Sequence, residues 1–200
     1  MFGARLALAQ RYADLLVGDA ARRGLIGPRE APRIWDRHLV NCAVVAEAFP
    51  SGSRVVDVGS GAGLPGLVLA CVRPDLHVDL VDTLSRRTRF LSEAVDLLEL
   101  GDRVRVVTGR AEDRAVRDLV GGTSWVTARA VAPLERLAEW CLPLLAPGGV
   151  LVAIKGAGAE AEVARAQAAV RRSGARSLSV VEYGGSVVPE ATRAIHVALR

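Results

Sequence analysis

The chain has 200 residues, half of them hydrophobic, with 26 basic against 22 acidic side chains. That length supports one domain with a full core and excludes two large ones. The composition excludes a disordered chain, and the apolar runs are too short to span a membrane.

The start of the chain lacks a signal-peptide pattern. Cys42, Cys71 and Cys141 form no C-x-x-C pair, which points to reduced, buried thiols in a cytoplasmic protein and to no metal site. Lys155 is the single lysine, so every other basic residue is an arginine. Arginine forks suit phosphates and stack on bases, but a coding bias gives the same count, so position has to decide.

Residues 1–50 read as a helical prelude. Leu6, Leu8, Tyr12, Leu15 and Leu16 mark one apolar face of a first helix. Gly24 and Gly27-Pro28 interrupt it, and a further helix is expected from about Pro32 towards Phe49. Arg22, Arg23, Arg29, Arg33 and Arg37 crowd the connection, as a strip along a nucleic-acid backbone or as a solvated helix face. His38, between Arg37 and Leu39, reads more readily as a partly buried core residue than as a catalyst.

Val55-Val56-Asp57-Val58 runs into Gly59-Ser60-Gly61-Ala62-Gly63-Leu64-Pro65-Gly66 and then an apolar segment to Val72. The order is a buried parallel strand, a tight glycine loop and a helix start. Open α/β sheets bind ligands at that end of a strand. Gly61 to Gly66 fits G-x-G-x-x-G and Asp82 follows about twenty residues on, as a dinucleotide site requires. Asp57 inside the strand and Asp82 at the end of the run His77–Val81 favour S-adenosylmethionine instead, since a carboxylate there can accept from both ribose hydroxyls.

Beyond the loop, strand and helix alternate. Thr83 is expected to cap a helix reaching Leu98, with Arg86, Arg87 and Arg89 near its start, where they oppose the helix dipole and suit a polyanion. A third strand, Val104–Val107, leads to Gly109-Arg110-Ala111-Glu112-Asp113. There an amide and a carboxylate can meet an adenine, or acids can simply open a helix. Trp125–Ala128 forms the fourth strand and ends in Arg129, facing the slot between cofactor and acceptor. A helix from Pro133 to Leu145, a turn over residues 146–149 and a fifth strand, Val150–Ile154, lead to Lys155-Gly156. A helix over Glu160–Arg172 precedes two closely joined strands, about Ser177–Tyr183 and Ala194–Leu199, which suggest an antiparallel edge hairpin. The expected fold class is α/β: a Rossmann-like, seven-stranded, mostly parallel sheet of the S-adenosylmethionine-dependent methyltransferase type. Residues 1–50 would form a helical extension within the same compact unit and 51–200 the methyltransferase domain.

These motifs resemble the bacterial ribosomal RNA small-subunit methyltransferase G family, also called glucose-inhibited division protein B. The resemblance is carried by Arg37-His38-Leu39, the segment 56–66, Arg73-Pro74, the segment Leu80–Leu91, Arg129-Ala130 and Ile154-Lys155-Gly156, and it covers about residue 5 to the end. It implies N7 methylation of one guanine in the decoding region of 16S ribosomal RNA, with S-adenosylmethionine as donor and S-adenosylhomocysteine as product. By motif, it places cofactor positions on Gly59, Leu64, Ala111, Glu112 and Arg129. The residues themselves add Asp57, Gly61, Gly63, Asp82 and Thr83 to that set. Arg129 and Lys155 are expected to orient the base, and Arg37, His38, Arg86, Arg87, Arg89, Lys155 and Arg193 to meet RNA. The implied partner is 16S ribosomal RNA or the small-subunit particle, with no membrane, and the protein is expected to act as a monomer. A small-molecule methyltransferase or an NAD(P)-binding protein are the other readings of the residues.

The chain departs from the family in two places. Gly24-Leu25-Ile26-Gly27-Pro28 stands where the family often has Asn-Leu-Thr, and the family's amino-terminal region is commonly longer, so the start of this chain is expected to be shortened.

Overall fold

The computed structural model describes residues 1–185 and 187–200. Short β-branched runs, hydrophobic on both faces, can bury themselves only between two helical layers, and they form parallel strands here. These are β1 (Arg54–Val58), β2 (His77–Asp82), β3 (Val104–Thr108), β4 (Thr123–Arg129) and β5 (Leu145–Lys155). β6 (Ala175–Tyr183) and β7 (Thr192–Leu199) complete a 7-stranded sheet of order β3-β2-β1-β4-β5-β7-β6. β7 pairs antiparallel with β6, as the closely joined last strands predict, and also antiparallel with β5. The order reverses between β1 and β4, so their carboxyl ends flank a crevice.

Alternate strand residues feed two cores. Val55, Val78 and Leu80 face one layer, which holds α3 (Gly66–Val72), α4 (Ser85–Leu97) and residues of the amino-terminal segment from Tyr12 to Phe49. Val56, Val58 and Val81 face the other, with α5 (Arg114–Val120), α6 (Leu134–Cys141) and α7 (Ala159–Arg172). The amino-terminal segment therefore shares the main core. All three cysteines are free and buried.

Several expected elements differ. The first helix, α1 (Leu6–Leu15), widens into a π turn over Leu16–Ala20. The helix expected from 32 to 49 is a series of four pieces: a 3-10 turn (Ala31–Arg33), a π turn (Ile34–Leu39), α2 (Val40–Val44) and a 3-10 turn (Val45–Ala48). A π turn takes up an extra residue, which rotates the faces that follow. Here it turns both His38 and Leu39 inward. Thr83 does not cap α4: Leu84 holds the cap position, and Asp82 Oδ1 accepts the Leu84 amide at 3.0 Å instead. The carboxylate reaches two residues along the chain, as Asp does in Asx turns. α6 stops at Cys141 and gives way to a 3-10 turn over Leu142–Leu144, because Pro143 cannot continue the α-helical ladder. Residues 146–149 fall inside β5, which pairs with β4 at Leu145–Thr123 before an irregularity and resumes at Val150–Trp125.

Candidate active site

The glycine loop leaves β1 and folds back over the end of β2. The amides of Gly59 and Ser60 both donate to the Val81 carbonyl, at 2.8 and 3.1 Å, and Gly63 N donates to Ser60 O at 2.7 Å. This tight return needs the left-handed backbone at Gly59, Gly61 and Gly63, with φ of 72°, 60° and 99°. A Cβ on Gly59 would also lie 2.6 Å from Val131 Cγ2, on the loop that follows β4.

Three side chains fix the loop. Asp82 Oδ2 accepts the Gly61 amide at 2.9 Å, while Arg87 Nη1 lies 3.3 Å from the same oxygen. Asp57, wholly buried, accepts the Gly66 amide at the start of α3 through Oδ2 at 3.0 Å. Tyr12, from α1, donates its hydroxyl to the Ala62 carbonyl at 2.7 Å. The amino-terminal helix thus supports the loop directly, a contact the sequence does not announce because Tyr12 reads as one more residue of an apolar face.

Asp57 Oδ1 has no hydrogen-bond partner among the described residues. Burial pushes this carboxyl up to about 7, against the lowering effect of the Gly66 amide. A carboxyl raised in the folded state holds a proton that the unfolded chain releases near pH 4. Its contribution to stability is therefore present at acid pH, falls by about 1.4 kcal/mol per pH unit as pH rises, and levels off above pH 7. Urea unfolding of the wild type and Asp57→Asn across pH 5–8 should show the wild type losing stability relative to the variant as pH rises; parallel profiles would rule out a proton held on Asp57.

A cleft of about 260 Å³ opens at the carboxyl ends of β1, β2 and β3. Its lining brings together Gly59 from the glycine loop, Asp82, Thr83 and Arg87 from the end of β2 and α4, Gly109, Ala111 and Glu112 from the turn after β3, and Val131 and Trp140 from beyond β4. Gly109 N donates to the Asp82 carbonyl at 3.0 Å, which joins the β3 turn to the end of β2. Trp140 was not legible as a site residue, since its spacing places it on the apolar side of α6. Arg136 covers its ring at 5.7 Å from the centroid.

Other expected site residues lie elsewhere. Arg129, at the end of β4, donates through Nη2 to His38 Nδ1 at 2.7 Å and to the Arg37 carbonyl at 3.2 Å, and through Nη1 to Cys42 Sγ at 3.2 Å. His38, expected to meet RNA, is 8% exposed, with its other nitrogen 2.7 Å from Glu30 Oε2. Both ring nitrogens are used inside the protein, so the histidine is not an RNA-facing group. Lys155 is likewise held within the fold, by Glu162 at 2.8 Å and the Ala132 carbonyl at 3.0 Å, while Glu162 also accepts the Leu134 amide at 2.8 Å. The pair braces the loop between β4 and α6. Arg193 sits between Glu182 and Glu160, at 2.9 and 3.5 Å. Arg86 and Arg89 are exposed on α4, and Leu64 is half-buried in the loop.

A seven-stranded sheet with an antiparallel last strand, a glycine loop after β1 and an acidic residue ending β2 defines the fold of S-adenosylmethionine-dependent methyltransferases. Solved structures agree. The fold is similar to that of a SAM-dependent methyltransferase from Aquifex aeolicus (TM-score 0.60, 18% identity, covering 88% of this chain and 100% of that one). It is also similar to that of precorrin-6y C5,15-methyltransferase from Geobacter metallireducens (TM-score 0.55, 14% identity, covering 88% and 90%).

The chain belongs to the rRNA small subunit methyltransferase G family, whose model matches residues 5–190. Proteins named ribosomal RNA small subunit methyltransferase G from Salinispora arenicola and Salinispora tropica are 59% and 61% identical to it, over 98% and 99% of this chain and 83% of each relative. One from Thermobifida fusca is 52% identical over 100% of this chain and 82% of its own length.

The residues fit S-adenosylmethionine. A buried carboxyl oxygen with no partner among the described residues lies under the glycine loop, and Gly59 and Gly109 bring backbone to the wall of the cleft. Trp140 gives this fit a direct readout. Binding of S-adenosylhomocysteine should change tryptophan fluorescence in the wild type, and Trp140→Phe should abolish most of that change, because Trp35 and Trp125 do not line the cleft. An undiminished signal in the variant would place the ligand elsewhere.

Proposed function

We infer that this chain transfers a methyl group from S-adenosylmethionine to N7 of a guanine in 16S ribosomal RNA, on the small subunit or its RNA, as a cytoplasmic monomer. The observation that carries this reading is that Gly59, Asp82, Ala111 and Glu112 border one cleft at the switch point of the sheet in a chain of this family.

When bound, S-adenosylmethionine supplies a methyl carbon made electrophilic by its sulfonium. The carboxylate of Asp82 would accept ribose hydroxyls, while the glycine loop with Leu64, and Asp57 beneath it, would hold the methionine end. Thr83 would border the ribose, and Ala111 with Glu112 would read the adenine edge against Trp140. Arg129, at the end of β4, would act on the slot between β1 and β4 only through a change in its present bonds to His38, Arg37 and Cys42. Guanine N7 carries an exposed lone pair on the major-groove edge and loses no proton when it attacks. The chain therefore acts by alignment, which can lower a barrier by roughly 7–11 kcal/mol. Exposed Arg37, Arg86 and Arg89 offer phosphate contacts. Arg87 lies against Asp82, at 3.3 Å, and would link phosphate contacts on α4 to the carboxylate that would serve the cofactor.

The test is incubation with methyl-labelled S-adenosylmethionine and small subunits from cells lacking a functional copy. Label in 16S ribosomal RNA, declining steeply with added salt, is the expected result; label confined to small molecules would overturn the RNA assignment.

A further inference from the structure

The last helix and the outer strand carry positive charge without acids to offset it. Residues 163–181 hold Arg165, Arg171, Arg172 and Arg176 and no aspartate or glutamate. All four arginines are exposed, and none has an ion-pair partner among the described residues. Exposed arginines on other elements do have one: Arg110 meets Glu112, Arg114 meets Asp118 and Arg136 meets Glu139. Arg171 and Arg172, in the last turn of α7, suit the helix dipole, and a charge on an edge strand discourages pairing with a second sheet. Neither effect reaches Arg165 in the middle of α7, or removes acids from the whole stretch. Arg176 falls at the irregularity in the β6–β7 register between Ala175 and Ser177, where a bulge can turn a side chain away from the ladder. Exposed Gln167, Ser177 and Ser179 add amide and hydroxyl donors of the kind that bind phosphate oxygens. No large apolar side chain is exposed in the stretch, as the centre of a protein interface or a membrane-inserting face would need.

We propose that α7 and β6 form a second phosphate-binding surface, remote from the cleft, that grips the backbone of folded ribosomal RNA while the target guanine reaches the donor. Topology sets the separation. β7 runs antiparallel to β5 and β6 antiparallel to β7, so β6 starts at the end of the sheet opposite the cleft. α7 ends at that same place, joined to β6 through Ser173 and Gly174. β6 lies four strand spacings from β1, about 19 Å, and the 14 residues of α7 rise about 21 Å. Arg176 is therefore roughly 25–30 Å from the cleft. The proposal rests on the reading of this chain as an RNA methyltransferase and narrows its substrate. A short strand carrying the guanine does not reach both places, whereas a folded RNA or an assembled particle does.

Methylation of small-subunit particles by the full chain tests this. The double variant Arg171→Gln, Arg176→Gln is compared with Arg114→Gln, Arg117→Gln, which removes the same charge from α5. The first pair should raise KM for the particle about tenfold and reduce the slope of its logarithm against the logarithm of salt concentration by about 1–2. Its affinity for S-adenosylhomocysteine and its melting temperature should match the wild type, and the α5 pair should match the wild type throughout. An unchanged KM and slope in the first pair, or an equal change in both pairs, marks a merely solvated surface and overturns the proposal. Loss of binding to phosphatidylserine vesicles, with KM for the particle unchanged, would assign the surface to a membrane and overturn it as well. If the wild type puts no label into 16S ribosomal RNA, the RNA reading fails and the proposal falls with it; labelling by the wild type with an unaffected first pair sinks the proposal alone.

Discussion

Asp82→Ala should weaken binding of S-adenosylhomocysteine by about 10- to 100-fold, the scale expected when a charged acceptor is removed from a hydrogen-bonded site. The size follows from how many groups the carboxylate serves. It accepts the amides of Gly61 and Leu84, lies against Arg87, and is 2% exposed at the end of β2. Alanine would remove the proposed acceptor for the ribose and also leave the Gly61 amide, the Leu84 amide and a guanidinium without their partner. The loop and the start of α4 would both relax. Asp82→Asn keeps one oxygen acceptor and should fall between wild type and alanine in calorimetry. Equal affinity in all three proteins would remove Asp82 from the site.

The second large effect is structural. Gly66→Ala should destabilise the protein by about 1–3 kcal/mol, the usual cost of overpacking a close-packed interior. A Cβ at Gly66 would lie 2.3 Å from Leu80 Cδ2 and 2.7 Å from Asp57 Oδ2. Leu80 Cδ2 is the end of a side chain and can move. Asp57 cannot move without giving up the Gly66 amide it accepts, so the substitution attacks the join between β1 and α3. Each kcal/mol corresponds to about 2–4 °C for a chain of this size, so thermal unfolding reads the change directly. Gly101→Ala, with nothing within 4 Å of the added carbon, is the control expected to melt near wild type. If Gly66→Ala melts with that control, the steric account of the loop is wrong.

The sheet was legible because its cause is local. Runs such as Val55–Val58 and Leu151–Ile154 have no stable alternative to burial between two layers, and the glycine loop punctuates the first of them. The closely joined strands ending at Tyr183 and Leu199 likewise announce their antiparallel pairing. What failed depended on contacts across the chain. His38 and Arg37 are neighbours in sequence, yet one lies inward and the other outward because of a π turn that no pattern of apolar residues specifies. Lys155 reads as a lone cation at a strand's end, but its partner, Glu162, sits on a later helix that the strand does not announce. Trp140 was hidden by a helical stripe that serves two surfaces at once, the core and the wall of the cleft.

Position of the transferred methyl group is the most direct measure of the account. RNA methylated by this protein should break at one guanine after borohydride and aniline treatment, because a methyl on N7 labilises the ring. Label on 16S ribosomal RNA that resists such scission, on an exocyclic nitrogen or a ribose hydroxyl, would contradict the claim that the fold needs only to align a lone pair with a methyl donor.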